Sequence, residues 1–141
     1  MARAQTKPTV AILGAGAGGI VMGIRLVRAG YDFTIYEKSD GVGGTWRDNT
    51  YPGAACDVPS HLYSYSFAPN PWWSRTYATQ PEILAYLERC TDQFGVRPHV
   101  RTRTAITEEE TRLGLKPTGR TTDTLLQQLR IANPDAQPCP G

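Results

Sequence analysis

The residues Gly14-Ala-Gly-Ala-Gly-Gly19 form a run that serves the backbone rather than any side chain. A G-x-G-x-x-G pattern between an apolar run and an amphipathic one suits a dinucleotide. Gly14 permits the tight turn, Gly16 lets the main chain approach a pyrophosphate, and Gly19 allows close helix–strand packing, with the anion left at a helix N-terminus. Glu37, eighteen residues after Gly19, ends the next apolar run. A carboxylate there accepts hydrogen bonds from an adenosine ribose and repels a 2′-phosphate, so the pattern fits FAD or NAD rather than NADP. The blander reading is a flexible turn and a solvated strand-end charge; the joint agreement of strand, turn, helix and acid argues against it.

The elements that must hold these residues are legible around them. Thr9-Val-Ala-Ile-Leu13 reads as a strand buried on both faces of a parallel sheet. Gly18 to Ala29 follows as a helix with Ile20, Ile24 and Val27 at core spacing and Gly30 at its C-terminal stop. Asp32 to Glu37 is the second strand, which completes a βαβ unit with a parallel, right-handed crossover. Residues 39 to 78 carry Gly, Pro, Ser, Asn and aromatics without a sustained period and read as a long functional loop. Thr79-Gln-Pro-Glu82 has capping-box spacing, and Ile83, Leu87, Cys90 and Phe94 form one stripe of a helix ended by Gly95. Val100 to about Thr107 is a third strand with poor alternation. The expected fold class is therefore α/β, a Rossmann-like βαβ unit with a parallel sheet, incomplete, over residues 1–107. Residues 108–141 turn to Thr, Arg, Gly, Gln and Pro around one helix-like island, Thr122 to Ala132, and read as a divergent, loosely ordered tail.

Composition removes several other classes. A chain of 141 residues with net charge +2 and scattered Arg and Lys has no electrostatic footprint for nucleic acid or an acidic membrane. Cys56, Cys90 and Cys139 are odd in number and far apart, and neither His61 nor His99 stands at metal-ligand spacing from them, so no disulfide framework or metal site is expected. Cys56 reads as a small buried hydrophobe, and the two histidines as residues without partners. Trp72 and Trp73 are expected to pack the long loop against the helix that begins near Gln80. No apolar run long enough for a membrane span or a secretory leader is present, and a cytoplasmic protein is expected.

The loop carries a family signature. Gly41-Val-Gly-Gly-Thr-Trp46, Thr50-Tyr-Pro-Gly-Ala-Ala-Cys-Asp57, Tyr63-Ser-Tyr-Ser-Phe67 and Tyr77-Ala-Thr-Gln-Pro-Glu-Ile-Leu84 together resemble the flavin-binding segment of Baeyer-Villiger and related flavin-containing monooxygenases. The longer glycine spacing through Gly23 and Gly30 also resembles FAD-binding rather than NAD-binding Rossmann domains. The resemblance runs from about Thr9 to Thr107, roughly three quarters of the chain. It implies that Glu37 holds the ribose and that Gly44, Thr45 and Trp46 lie along the flavin side of FAD, with Asp57, Tyr63 and Ile106 also at the cofactor. It also places Asp57 between the flavin and the nicotinamide or substrate region, where a carboxylate can tune a neighbouring cation; the alternative is a turn aspartate capping its own loop.

The same resemblance implies an enzyme in which NADPH reduces FAD and the reduced flavin traps O₂ as a C4a-peroxide. That oxygen is then delivered to a ketone or to a nitrogen or sulfur atom of a small molecule. Such chemistry needs a second dinucleotide-binding turn, a Phe-x-Gly-x-x-x-His-x-x-x-Trp-Pro signature and a downstream arginine, none of which stands in this sequence. The isolated chain is therefore expected to bind FAD weakly without oxygenating a substrate, and a missing C-terminal half, through a truncated gene, a frameshift or an incomplete sequence, is expected. The competing readings are a noncatalytic dinucleotide-binding module or a subunit of a split flavoprotein. A disulfide reductase would need a redox cysteine pair that Cys56 lacks.

Overall fold

The computed structural model describes residues 7–104. The expected helix at Thr122 to Ala132, the expected loosely ordered tail, Cys139 and Ile106 all lie outside the described residues.

Three parallel strands, β1 (Val10–Leu13), β2 (Phe33–Tyr36) and β3 (Val100–Arg101), form one sheet in the order β1-β2-β3. Val10 pairs with Phe33 and Leu13 with Tyr36, while Ile35 pairs with Val100. The crossover from β1 to β2 is α1 (Ala17–Ala29), as the strand–helix–strand pattern requires. Ile20 and Ile24 are fully buried between α1 and the sheet, joined there by Phe33, Ile35 and Val96. Each such side chain contributes about 1.5–3 kcal/mol by leaving water.

Three sequence expectations about these elements are corrected. Among the described residues β1 is covered on one face only: Val10 and Ile12 pack on the core, whereas Ala11 is exposed and Leu13 is 42% exposed. α1 covers one side of the sheet, and no described element covers the other at β1. On α1 itself Val27 lies at 36% exposure, and the inward position of the last turn is taken by Leu26. The third strand is also shorter than its apolar pattern suggested. It ends at Arg101, after which Arg103 adopts φ 54° and donates its N–H to the Ser39 carbonyl, while Thr104 donates to the Glu37 carbonyl. The chain thus leaves ladder geometry but stays tied to the end of β2.

The long loop contains a single-turn helix, α2 (Thr45–Asp48), and a 3₁₀ turn at Ser60–Leu62, so it is more regular than its composition implied. It is closed by α3 (Gln80–Gln93). The Glu82 carboxylate accepts the Thr79 N–H at 3.1 Å and the Thr79 hydroxyl at 3.0 Å, as the capping-box spacing predicts. Ile83, Tyr86, Leu87 and Cys90 are buried, and Phe94 completes the stripe at the core's margin. Both longer helices end alike. Tyr31 N–H reaches the Leu26 carbonyl past Gly30, and Val96 N–H reaches the Thr91 carbonyl past Gly95, the paired bonds of a Schellman close.

Trp73 packs on Tyr86 with ring centroids 5.5 Å apart, but Trp72 is 85% exposed and anchors nothing. Only the second of the two tryptophans does what the sequence suggested. His99 has partners after all: its ring stacks on Phe33 at 4.2 Å and its Nδ1 lies 3.2 Å from the Phe33 carbonyl oxygen.

Candidate functional site

The turn from β1 to α1 presents bare backbone. Gly16 caps α1 without a side-chain hydrogen bond, no acidic residue stands in the first turn, and the first intrahelical bond is Ile20 N–H to the Gly16 carbonyl. The N–H groups before Ile20 are therefore free of intrahelical acceptors, which together with the helix dipole favours an anion. α3 offers the contrast, since Glu82 already occupies its N-terminus. Gly19 is fixed by sterics: a Cβ there would fall on the carbonyl oxygen of Gly14.

Glu37 follows β2 directly and is 4% exposed. Its Oε2 accepts the Ala15 N–H at 2.6 Å and its Oε1 accepts the Ser39 N–H at 2.8 Å. The acid expected to face a ribose is thus also bonded to the glycine turn. An ionised carboxylate has about four acceptor positions, so two remain for further donors.

The second glycine segment lies directly on the first. Gly43 donates its N–H to the Ala15 carbonyl at 2.9 Å, and a Cβ on Gly44 would stand 2.9 Å from the Gly16 Cα. Gly44 has φ 54°, a conformation other residues adopt at a cost. Thr45 and Trp46 then open α2, with Thr45 exposed and Trp46 partly buried. The Trp46 indole N–H donates to the Tyr63 hydroxyl at 2.8 Å, and the two rings meet edge to face with centroids 5.6 Å apart. Trp46 is therefore packed against the core's margin and tied by its indole to Tyr63, directly after the second glycine segment.

The structure brings Gly14, Gly16, Gly19, Glu37 and Gly44 into one backbone-lined surface, with the Trp46–Tyr63 pair reached from it through Thr45. Asp57 is held apart from these contacts. The segment around it is tied to the start of α3: Cys56 N–H to the Ala78 carbonyl at 2.9 Å, Ser60 N–H to the Thr76 carbonyl at 2.7 Å, and Gln80 N–H to the Ala54 carbonyl at 2.9 Å. Asp57 itself is exposed, and among the described residues its carboxylate accepts no hydrogen bond; the position two residues on, whose N–H an aspartate turn would use, is Pro59, which has none. The turn-capping alternative for Asp57 is thereby set aside.

Sequence reasoning missed several residues that hold this arrangement. The buried Ser60 hydroxyl accepts the Ala78 N–H at 2.7 Å and faces the Thr76 carbonyl at 2.8 Å. The Tyr65 hydroxyl donates to the carbonyl of Ala17, the first residue of α1, at 2.7 Å. Burial pushes the Tyr65 phenol well above its ordinary range, and burial likewise pushes Tyr86 up to about 12, so both remain hydrogen-bond donors at neutral pH. Gln80, at the first position of α3, donates its side-chain amide to the Trp46 carbonyl. A polar residue at the head of an apolar helix stripe was the available signal for Gln80; no pattern marks Ser60.

Fold and site together define a dinucleotide-binding Rossmann-like unit. Residues 12–79 match the family described as NAD(P)-binding Rossmann-like domain. A Baeyer-Villiger monooxygenase of Streptomyces coelicolor is 60% identical over 93 residues, which is 65% of this chain and 18% of that protein. Among solved structures, an oxidized steroid monooxygenase bound to NADP superposes with TM-score 0.65 and 47% identity over 70% of this chain and 20% of its own. OTEMO in complex with FAD and NADP gives TM-score 0.65 at 36% identity, covering 73% of this chain and 20% of that one. Over about two thirds of its own length the chain is therefore similar to proteins named Baeyer-Villiger monooxygenase and FAD-binding monooxygenase. It spans about a fifth of the length of the relatives it matches.

Proposed function

We propose that residues 1–107 bind FAD and serve an NAD(P)H-dependent flavin monooxygenase of the Baeyer-Villiger or heteroatom-oxygenating kind, acting on a small ketone or on a nitrogen or sulfur atom. The observation that carries this reading is the bare backbone of the β1–α1 turn, uncapped and free of acid, with Glu37 beside it and the second glycine segment pressed against Gly16. A diphosphate fits the open N–H groups of α1, and the free acceptor positions of Glu37 fit the adenosine ribose hydroxyls. Gly44 and Thr45 offer main chain along the flavin side, and the Trp46–Tyr63 pair supplies an apolar wall whose polar atoms already satisfy each other. Asp57, exposed and without a hydrogen bond among the described residues, keeps its proposed role of tuning a neighbouring cation near the nicotinamide or substrate. FAD, when bound, supplies the redox chemistry that activates oxygen for insertion. The support from relatives is their names as Baeyer-Villiger and steroid monooxygenases, and NADP and FAD in the solved structures. The reaction as a whole is proposed for a whole protein of the relatives' length.

The test is direct. The purified chain is mixed with FAD, passed through a desalting column and examined for retained flavin absorbance and quenched flavin fluorescence. Retention that is lost on Glu37→Ala or Gly16→Asp supports the reading. A folded wild-type chain that releases all its flavin and binds NAD instead overturns it.

A further inference from the structure

One side chain in the second glycine segment makes more contacts than cofactor binding calls for. Arg47 leaves α2 and turns back across Gly41, where a Cβ would fall within the guanidinium. Its Nε donates to the Val42 carbonyl at 2.7 Å, its Nη2 reaches the Glu88 carboxylate at 2.6 Å, and its Nη1 lies 3.4 Å from the Asp40 carboxylate. The Arg47 side chain is 25% exposed and that of Glu88 39%. A single exposed ion pair contributes little, but a planar guanidinium that joins a loop carbonyl to a helix carboxylate fixes geometry as well as charge.

What Arg47 joins matters. Glu88 belongs to α3, which is anchored through Ile83 and Leu87 in the core. The segment at the other end is the one whose Gly43 bonds the Ala15 carbonyl and whose Gly44 abuts Gly16. α3 grips the same segment a second time through Gln80 and the Trp46 carbonyl, and a Cβ on Gly43 would meet the Leu84 side chain of α3. The position of residues 43–46 relative to the first glycine turn is therefore set from α3.

We propose that Arg47, anchored on Glu88, is a positioning residue that holds the second glycine segment against the first and so fixes the two backbone surfaces along which the dinucleotide lies. The consequence for cofactor binding rests on the FAD reading above; the mechanical part does not. If loss of this strap leaves the segment correctly placed about a tenth of the time, the apparent Kd for FAD rises about tenfold.

The experiment uses the full chain with Arg47→Met, Arg47→Lys and Glu88→Gln, the last keeping side-chain size on an accessible helix face. The first readout needs no cofactor: amide hydrogen exchange at Gly43 and Trp46. In Arg47→Met these amides are expected to exchange about tenfold faster or more, while those in the middle of α1 and α3 keep their wild-type rates. Arg47→Lys, which keeps the charge but not the fork, falls between. If Arg47→Met accelerates exchange everywhere, Glu88→Gln decides by the same local comparison. The second readout is FAD titration by flavin fluorescence, with the expected tenfold loss. Unchanged exchange at Gly43 and Trp46 overturns the strap whether or not FAD binds. Faster exchange with wild-type FAD affinity overturns its role for the cofactor. A wild-type chain that takes no FAD sinks the earlier reading alone, and the exchange comparison still decides the strap.

Discussion

The Glu37 carboxylate accepts the backbone N–H of Ala15 at 2.6 Å, so the acid at the end of β2 is built into the glycine turn that it would serve. Its other oxygen takes the Ser39 N–H at 2.8 Å, and the residue is buried. The two bonds tie the turn to the end of β2, and under the proposed function the remaining acceptor positions serve the ribose. Glu37→Gln removes the charge and sets an amide donor beside one of two backbone donors. We expect a loss of about 1–3 kcal/mol in unfolding free energy without cofactor, from the buried N–H left poorly matched. FAD affinity should fall by a larger factor than that of a variant matched for stability elsewhere in the core. Urea unfolding and flavin titration on the same samples separate the two effects; equal losses in both variants would assign Glu37 a structural role only.

The contact between Gly44 and Gly16 makes a separable prediction. Gly44→Ala meets two costs: a residue with Cβ at φ 54°, about 1–2 kcal/mol, and a methyl 2.9 Å from the Gly16 Cα. Gly53 has φ 82° with nothing within 4 Å of the built Cβ, so Gly53→Ala meets only the first. Because Gly44 has ψ −124° at that φ, outside the left-handed helical well, the difference between the two variants is an upper limit on the cost of the close approach. Gly44→Ala should be the less stable of the pair and should lose flavin, whereas Gly53→Ala should keep it. If both retain flavin equally, the two glycine segments need not touch for binding.

The contrast between these positions shows which parts of the molecule were legible before the structure. The βαβ unit, the helix ends at Gly30 and Gly95 and the Thr79–Glu82 box follow from local rules, in which residue type and spacing decide the outcome within a few positions. The glycine turn and Glu37 were legible for the same reason. Gly44, Trp46 and Tyr63 came from resemblance, and their mutual contacts could not be read from spacing, because Tyr63 lies seventeen residues beyond Trp46 along an irregular loop. Arg47 holds that loop through the Glu88 carboxylate, and Ser60 and Tyr65 through backbone carbonyls, all distant in sequence, and such bonds leave no periodic trace. The exposure of Leu13 was misjudged because an apolar run is silent about which faces its neighbours cover.

Glu82 makes α3 sensitive to acid. The Thr79 N–H, foremost, and the Ser74 and Thr79 groups around it hold its carboxyl down to about 2, against an ordinary value of 4.5. A depressed folded-state value means that the stabilisation is complete above pH 4.5 and is lost as pH falls from there to about 2. Glu82→Gln keeps a capping-box acceptor without the charge and should be about 0.5–1 kcal/mol less stable than wild type at pH 7. The gap should close by the acid end of that window. Unfolding midpoints measured in a pH series check this, and a gap that stays constant below pH 4 would falsify the assignment of the charge to the cap.

Neighbouring tryptophans should behave oppositely when replaced. Trp72 is 85% exposed, and Trp72→Ala should change stability by no more than about 0.5 kcal/mol. Trp73 packs on Tyr86 and belongs to the margin of the core, so Trp73→Ala should cost about 2–4 kcal/mol by opening a cavity beneath the long loop. The Trp73 indole N–H, however, is buried without an acceptor among the described residues. Trp73→Phe keeps most of the ring contact with Tyr86 and removes that orphaned donor, so its cost should be well under half that of Trp73→Ala. Thermal unfolding of the three variants orders them. If Trp73→Phe is as damaging as Trp73→Ala, the indole nitrogen has a partner that matters, and the loop is held there by a hydrogen bond rather than by packing.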